Sequence, residues 1–244
     1  MTGVFGAVAD MYDDVRPGYP PDIADAVLDY HGGVPGEVVE LGAGTGKGTA
    51  VLARLGAPLT CVEPDPRMAA VLGSRFPQAR VHLGTFEQWA PPAGGVPLIA
   101  CAMAWHWLDE ATRNQRVRAA LAPGGTLAVF GHKYDYADPV HAQAIADALH
   151  AADPGTTERT EGWFVEDIAG SGLFVGVEAR VFRRHESLST ERYLQLVQTF
   201  SPFRRRSPDL QARALAALRS TVDGFGGAVV LDLRTTLALA RRPS

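Results

Sequence analysis

Glycine recurs at alternate positions, Gly42, Gly44, Gly46 and Gly48, directly after an apolar run that ends at Leu41. Glycines between a buried strand and a helix let the backbone turn tightly and approach a ligand without Cβ clashes. Free N–H groups at the start of the following helix favour a polar or anionic group. The spacing therefore predicts a ligand-binding turn, and a structural loop that holds no ligand is the alternative.

Glu63 lies about twenty residues further on, at the end of the second predicted strand, where a carboxylate can accept both hydroxyls of a ribose. A solvated surface carboxylate is the alternative. Dinucleotide-binding enzymes share this arrangement, but their pyrophosphate fingerprint requires glycine at position 47, which is lysine here. Glu40, just before the turn, suits a positively charged ligand group better than a pyrophosphate. S-adenosylmethionine (SAM) carries an ammonium and a sulfonium, so it fits this acidic residue.

Aromatic residues follow the fourth and fifth predicted strands, where the acceptor of a methyl group should approach. Trp105 and Trp107 flank His106, so they could form an aromatic wall while His106 accepts a proton as a general base. Alternatively, one tryptophan packs under the helix, His106 only caps it, and transfer proceeds through positioning alone. Further substrate-side candidates, each of which could instead be a core or surface residue, are His132, Tyr134, Trp163 and Phe164.

These segments together resemble the class I SAM-dependent methyltransferases. Val38–Gly48 resembles their first motif, and Cys61–Asp65 resembles their ribose-binding segment. The resemblance continues through Gly84–Glu87, Ala104–Asp109 and Leu121–Gly125, and Tyr12–Pro20 is similar to a segment of the small-molecule branch. It implies that SAM is held by Tyr12, Arg16, Glu40, Gly42, Ala43, Gly44, Thr45, Gly46, Glu63, Pro64, Thr85, Phe86, Ala102 and Met103, and that Tyr19 contacts the substrate.

The chain departs from the family pattern at two places. The fourth strand usually opens with an acidic residue, but here it opens with Val96, Pro97 and Leu98. Where the adenine amino group often meets Asp or Asn, this chain has Thr85 and Phe86. The expected adenine contacts are therefore backbone groups and stacking on Phe86.

Strand-like runs alternate with helical patterns, which implies βαβ crossovers and a parallel sheet. The predicted strands are Gly36–Leu41, Pro58–Val62, Arg80–Leu83, Leu98–Met103, Thr126–Gly131, Val177–His185 and Val229–Ala240. The predicted helices are Thr49–Leu55, Met68–Arg75, Glu110–Leu121, Val140–Ala152, Trp163–Gly170, Thr190–Phe200 and Leu210–Val222, with a tight turn at Pro123–Gly125 and a polar loop at Asp153–Glu161. We expect an α/β, Rossmann-like class I methyltransferase fold: a seven-stranded, mostly parallel sheet with helices on both faces and a helical lid insertion.

We expect one methyltransferase domain over residues 1–244. Within it, residues 1–30 would cover the cofactor and order when it binds, residues 31–135 would form the SAM-binding core, and residues 136–175 and 186–227 would be substrate-side insertions. The basic run Arg204–Arg206 lies in the second insertion, where it could bind a substrate phosphate or carboxylate or simply face solvent.

The net charge of −4 disfavours nucleic acid as a partner, because neutralising phosphates requires clustered cations. Cys61 and Cys101, both in apolar runs, indicate a reducing cytosol and no disulfide framework. The sequence shows no secretory signal and no apolar run near the ~20 residues of a membrane helix. It therefore predicts a cytoplasmic monomer or homodimer without membrane attachment, and the histidine spacing predicts no metal site.

The predicted activity is methyl transfer from SAM, which leaves S-adenosylhomocysteine, to a small-molecule acceptor in biosynthesis. An aromatic or indole-like metabolite is one candidate, and the acceptor atom is left open among oxygen, nitrogen and carbon. An NAD(P)-dependent oxidoreductase and a SAM-binding protein without catalysis are the alternatives. The chain lacks the Asn/Asp-Pro-Pro-Tyr/Phe tetrad after the fourth strand, which disfavours an amino group on a nucleic-acid base.

Overall fold

The computed structural model describes residues 14–152 and 161–244, and these build one mixed sheet in the order β3-β2-β1-β4-β5-β7-β6. The strands are β1 Val38–Leu41, β2 Leu59–Glu63, β3 Arg80–Leu83, β4 Val96–Ala102, β5 Leu121–Tyr136, β6 Val175–Ser189 and β7 Ala228–Arg241. The pairs among β1 to β5 are parallel, and only β7 runs against its neighbours in the described part of the sheet. The prediction of a seven-stranded, mostly parallel sheet is confirmed.

The α-helices of the described residues are α1 Asp22–His31, α2 Lys47–Leu52, α3 Pro66–Arg75, α4 Arg113–Ala120, α5 Pro139–Ala152, α6 Trp163–Gly170, α7 Thr190–Gln198, α8 Ser201–Arg204 and α9 Pro208–Gly224. Short 3₁₀ helices cover Ala53–Leu55 and Trp105–Trp107. Local capping fixes several starts: the Asp65 carboxylate accepts the Arg67 N–H of α3 at 2.9 Å, and Ser207 caps α9 ahead of its first-turn proline. None of the described helices is long and apolar enough to cross a membrane.

Alternate residues of the central strands divide between two apolar layers, one on each face of the sheet. Val39, Ile99 and Leu127 pack with residues of α4 and α6. Val38, Leu98 and Ala128 pack with residues of α1, α2 and α3. Helices therefore cover both faces, as predicted, because the central strands have apolar side chains on both sides.

A third apolar cluster lies beyond the ends of the central strands. There, Leu231 and Leu233 of β7 pack with residues of α5, α7 and α9. Strands β5 and β7 stay paired as far as Tyr136 and Leu231, so both extend past the shorter parallel strands. The insertion between β6 and β7 is helical, as expected, and it rests on this extension.

Two details differ from the predictions, and a third prediction falls on residues that are not described. Helix α1 was not predicted, yet Ile23 and Val27 place one of its faces in the core. Strand β5 begins at Leu121, so the segment expected as a tight turn is the irregular start of a strand: Gly124 has φ +73° and its N–H donates to the Arg242 carbonyl at 3.1 Å. The predicted loop over residues 153–161 falls almost entirely outside the described residues.

Candidate active site

The glycine turn after β1 opens onto a small cavity at the carboxyl end of the parallel strands. Gly42, Gly44 and Gly46 have φ of +66°, +58° and +95°, conformations that glycine adopts without steric cost. The cavity brings together seven of the residues predicted to bind cofactor or substrate, which are Tyr19, Gly42, Ala43, Gly44, Thr45, Ala102 and Met103. Lys47 and Gly48 complete its lining.

The glycines of this turn serve two different purposes. A Cβ on Gly42 would lie 2.5 Å from the Ala104 Cβ, and one on Gly46 would lie 2.5 Å from a Phe76 ring carbon. These two positions are glycine because the fold packs against them. A Cβ on Gly44 would meet no atom nearer than Met68 Sδ at 4.0 Å, so the space beside Gly44 is open toward the cavity.

Glu63 ends β2 beside the same turn. Its carboxylate accepts the N–H of Gly44 and the N–H of Asp65, each at 2.8 Å. Burial raises the pKa of Glu63, and these two backbone hydrogen bonds oppose that rise. The predicted ribose acceptor is therefore a buried carboxylate hydrogen-bonded to the glycine turn, and Pro64 follows it into the connection to α3.

Glu40 lies beneath the turn instead of facing the cavity. Its side chain is completely buried, and the Thr49 hydroxyl donates to Oε2 at 2.6 Å. The second oxygen, Oε1, is buried without a hydrogen-bond partner in the described structure. Burial raises the pKa of Glu40 to about 8, so this side chain is mostly protonated at neutral pH. Its predicted contact with a cationic ligand group stays a prediction.

Met103 forms the wall of the cavity at the carboxyl end of β4. It is the one non-glycine residue among those described that has a positive φ, at +54°. Its Sδ accepts the His132 N–H at 3.2 Å, and a Cβ on Gly131 would lie 2.8 Å from the same sulfur. Unusual backbone conformations persist where the surroundings enforce them, often at functional sites.

The turn after β4 separates its three aromatic residues. Trp105 is 2% exposed and belongs to the core, and its indole N–H donates to Asp167 Oδ2 at 2.8 Å. Its predicted contact with substrate stays a prediction. His106 is partly exposed, and Trp107 is 38% exposed with its ring 4.7 Å from that of His106.

A polar cluster that sequence analysis missed holds Trp105 in place. The Arg113 guanidinium, almost fully buried, pairs with Asp167 of α6. Its Cζ lies 5.8 Å from the Trp105 ring and 5.0 Å from the Trp163 ring. Trp163 thus packs on this arginine, and its neighbour Phe164 is buried in the core. Their predicted contact with substrate stays a prediction.

Arg16 packs against the helical insertion. Its Nε donates to the Thr199 hydroxyl at 2.8 Å, and its Nη2 donates to the Thr199 carbonyl at 3.0 Å. The guanidinium lies 4.6 Å over the Phe200 ring, and Nη1 donates to the Tyr134 hydroxyl at 3.4 Å. Arg16 therefore links the N-terminal segment to the insertion, and Tyr12 lies outside the described residues.

His132 stacks on Tyr19 with ring centroids 4.3 Å apart, and its Nδ1 lies 2.7 Å from the Thr235 hydroxyl. Burial, together with the charges of Arg184 and Arg16, lowers the pKa of His132 to about 3. His132 is therefore neutral at physiological pH and holds Tyr19 at the cavity.

The residues predicted to meet adenine lie after β3. Phe86 is buried, with its ring centroid 6.3 Å from that of Trp89. The Thr85 N–H donates to Gln88 Oε1 at 3.1 Å. Phe86 packs mainly in the core, so stacking on adenine stays a prediction.

Comparison with known proteins identifies the domain. Residues 38–125, which include the glycine turn, Glu63 and the turn after β4, match the family model of a methyltransferase domain. Residues 38–125 are therefore a methyltransferase domain. The methyltransferase fold extends beyond the matched residues: a protein of Anaeromyxobacter dehalogenans described as a type II methyltransferase superimposes with a TM-score of 0.69, at 21% identity, over 94% of this chain and 99% of that one.

Two relatives add to the family assignment of the methyltransferase domain. An uncharacterized methyltransferase of Mycobacterium tuberculosis is 37% identical over 131 residues, which are 54% of this chain and 53% of the relative. The trans-aconitate 2-methyltransferase of Rhizobium meliloti is 41% identical over 97 residues, 38% of this chain and 37% of that protein. The chain thus matches the Mycobacterium relative over about half of that protein's length, and the Rhizobium enzyme over a shorter part.

Proposed function

We propose that this protein transfers a methyl group from SAM to a small-molecule acceptor. The observation that carries the proposal is the Glu63 carboxylate, hydrogen-bonded to the Gly44 amide at the edge of the cavity. A carboxylate beside a glycine turn is the arrangement that binds the ribose and the adjoining part of a nucleoside ligand. The family to which the domain belongs makes SAM the expected nucleoside.

The residues present fit this cofactor. The open space beside Gly44 allows a ligand to approach the backbone, and Glu63 can accept the ribose hydroxyls by exchanging its bond to the Gly44 amide. Ala102 and Met103 would form the wall beside the reacting centre. When bound, SAM supplies an electrophilic methyl group on a sulfonium. The protein's part is to orient the acceptor and exclude water, and alignment of two reactants lowers the barrier by roughly 7–11 kcal/mol.

The acceptor would enter between the turn after β4 and the end of β5. His106 lies on that turn and is partly exposed, so it can accept a proton from an acceptor O–H or N–H. On the opposite side, Tyr19 lines the cavity and offers an aromatic face. His132 stacks on Tyr19, and its ring also lies beside the Tyr134 ring.

This lining supports two acceptor classes. Aromatic faces suit flat, weakly polar acceptors, including the indole-like metabolites expected from the sequence. A carboxylate is the second class, because the Rhizobium relative is named for trans-aconitate, which is a carboxylic acid. The buried Arg16 guanidinium would bind such a carboxylate only by exchanging a hydrogen bond that it now makes to Thr199 or Tyr134. Trp105 and Trp163 pack around Arg113, so they present less aromatic surface to an acceptor. This packing favours the carboxylate class over the aromatic class.

An acceptor screen tests the proposal. The full chain is incubated with SAM labelled in the methyl group and with separate sets of phenols, indoles and carboxylic acids, and transferred label is counted. We expect turnover in one set, and we expect His106→Asn to lower kcat while SAH affinity stays unchanged. Turnover of carboxylic acids alone would contradict the aromatic version. A protein that binds SAH but also fails with nucleic acid and peptide acceptors would be a binding protein without catalysis.

A further inference from the structure

A second cavity opens beside the glycine turn, and its charged lining is entirely cationic. Lys47, Arg54 and Arg75 line it, and it shares Tyr19 and Lys47 with the cavity described above. Among the described residues, no acidic side chain contributes to its lining. The volume of this cavity is about 370 Å³, within the range of small-molecule sites.

Two separate stretches of backbone place these three cations. Lys47 is the first residue of α2, and Arg54 lies seven residues later in the 3₁₀ helix that continues it. Seven residues make about two helical turns, so both side chains project from one side of the helix. Ala50 and Val51 lie between them and line the same cavity.

Arg75, the last residue of α3, is anchored by its surroundings. Its Nη1 donates to the Thr45 carbonyl at 3.0 Å, and its Cζ lies 5.5 Å from the Phe76 ring. A planar guanidinium that is already held in place loses less rotational freedom when it binds an anion. Arg75 therefore also connects the second cavity to the glycine turn.

The local charge is opposite to that of the whole chain. Three cations line this cavity in a protein whose net charge is −4. Clefts lined by charges of one sign focus the field and concentrate counter-ions. Asp14 is an acidic neighbour: its pKa is lowered chiefly by the hydrogen bond from Arg192 and to a smaller extent by the charge of Lys47. Asp14 is thus engaged mainly with Arg192, outside the cavity lining.

We propose that this cavity binds a small polyanion, a molecule with two or more phosphate or carboxylate groups, next to the cofactor pocket. Several cations around an open space favour a ligand with several anionic groups over a ligand with one, because each additional phosphate or carboxylate group can pair with another cation. Arg54 and Arg75 are exposed, so binding will weaken as ionic strength rises.

The test is calorimetric titration of the full chain at low salt, with inorganic pyrophosphate and with tricarballylate as separate probes. Arg54→Gln and the double variant Arg54→Gln/Arg75→Gln are compared with Arg213→Gln. Arg213 is an exposed residue of α9 and not part of the cavity lining, so it matches the change in net charge. Amide NMR shifts of Ala50 and Val51 locate the bound probe, and SAH is titrated in parallel.

We expect each lost cation to weaken probe binding by about two- to fivefold and the double variant by about tenfold, as for exposed ion pairs. Arg213→Gln should bind like the wild type. Binding of pyrophosphate alone would assign a phosphate ligand, and binding of tricarballylate alone a carboxylate ligand. The proposal would be overturned if neither probe bound, or if Arg213→Gln weakened probe binding as much as the cavity variants. It would also be overturned if the amide NMR shifts were confined to the glycine turn. Failure of SAH to bind would count against the proposed function and leave this result unaffected.

Discussion

The guanidinium of Arg113 and the carboxylate of Asp167 form a nearly buried pair that joins α4 to α6. Arg113 Nε donates to Asp167 Oδ2 at 3.0 Å, and Nη2 pairs with Oδ1. Trp105 Nε1 and Asn114 Nδ2 donate to the same carboxylate at 2.8 and 3.0 Å. Burial opposes ionisation of Asp167, but the hydrogen bonds from Arg113, Trp105 and Asn114 hold its pKa below the usual value. One carboxylate thus fixes the turn that carries His106.

Replacing Asp167 by Asn should destabilise the protein strongly. Arg113 is 3% exposed, and loss of its partner leaves a buried charge uncompensated. Breaking such a pair costs roughly 3–5 kcal/mol, and we expect the lower end because the Asp167 side chain is 19% exposed. Urea unfolding measures the change. Asp29→Asn is the control, because Asp29 pairs with Arg180 while its side chain is 73% exposed, so this variant should cost less than about 1 kcal/mol. Equal effects of the two variants would contradict this assignment.

Gly46→Ala and Gly44→Ala should separate folding from binding. A Cβ at Gly46 would lie 2.5 Å from the Phe76 ring, so Gly46→Ala should lower stability by about 2 kcal/mol or more and reduce soluble yield. At Gly44 the space is open, and only the positive φ of +58° opposes alanine. This conformation costs an alanine about 1 kcal/mol of stability. Gly44→Ala should therefore fold but bind SAH at least about tenfold more weakly, because its methyl group projects where the ligand approaches. Thermal melts and SAH titration check both; wild-type affinity in Gly44→Ala would exclude the turn as the binding site.

Glu40 should make stability fall as pH rises. Its pKa is raised from 4.5 to about 8 in the folded state, chiefly by burial, so between these values the folded protein holds a proton that the unfolded chain has lost. Stability should therefore decline from about pH 4.5 to about pH 8 and level off above. Glu40→Gln removes this titration, and its stability relative to wild type should rise by on the order of 4 kcal/mol from pH 5 to pH 8.5.

The control for Glu40 is Glu37→Gln. Glu37 is partly exposed and accepts a hydrogen bond from the Thr60 hydroxyl at 3.0 Å, so Glu37→Gln makes the same chemical change outside the buried site. Urea unfolding at the two pH values measures both variants. A constant difference between wild type and Glu40→Gln across this range would show that Glu40 is charged in the folded state.

The glycine turn and Glu63 could be predicted from sequence because both depend on local pattern. A strand, a turn and a following helix each have a characteristic sequence pattern within a few residues. Parallel strands then bring their carboxyl ends to one edge of the sheet. The residues Gly42, Gly44, Ala102 and Met103 accordingly lie around one cavity.

The polar contacts of the acceptor side could not be predicted in the same way. Arg113 and Asp167 are 54 residues apart, and nothing in either local sequence marks a partner. Trp105 was predicted to form a pocket wall because the sequence pattern of an aromatic residue after a strand is the same for a pocket wall and for the core. Tyr134 and Tyr136 extend β5 beyond its predicted end because pairing with β7 overrides their polar neighbours.

The central claim is tested most directly by calorimetric titration of the full chain with S-adenosylhomocysteine, alongside NAD⁺ and NADP⁺. Glu63→Gln is the test variant, and Glu37→Gln, at the opposite end of the neighbouring β1 strand, is the matched control. We expect micromolar binding of S-adenosylhomocysteine alone, about tenfold or more weaker in Glu63→Gln and unchanged in Glu37→Gln. Binding of a dinucleotide, or full affinity in Glu63→Gln, would contradict the assignment of this cavity to SAM.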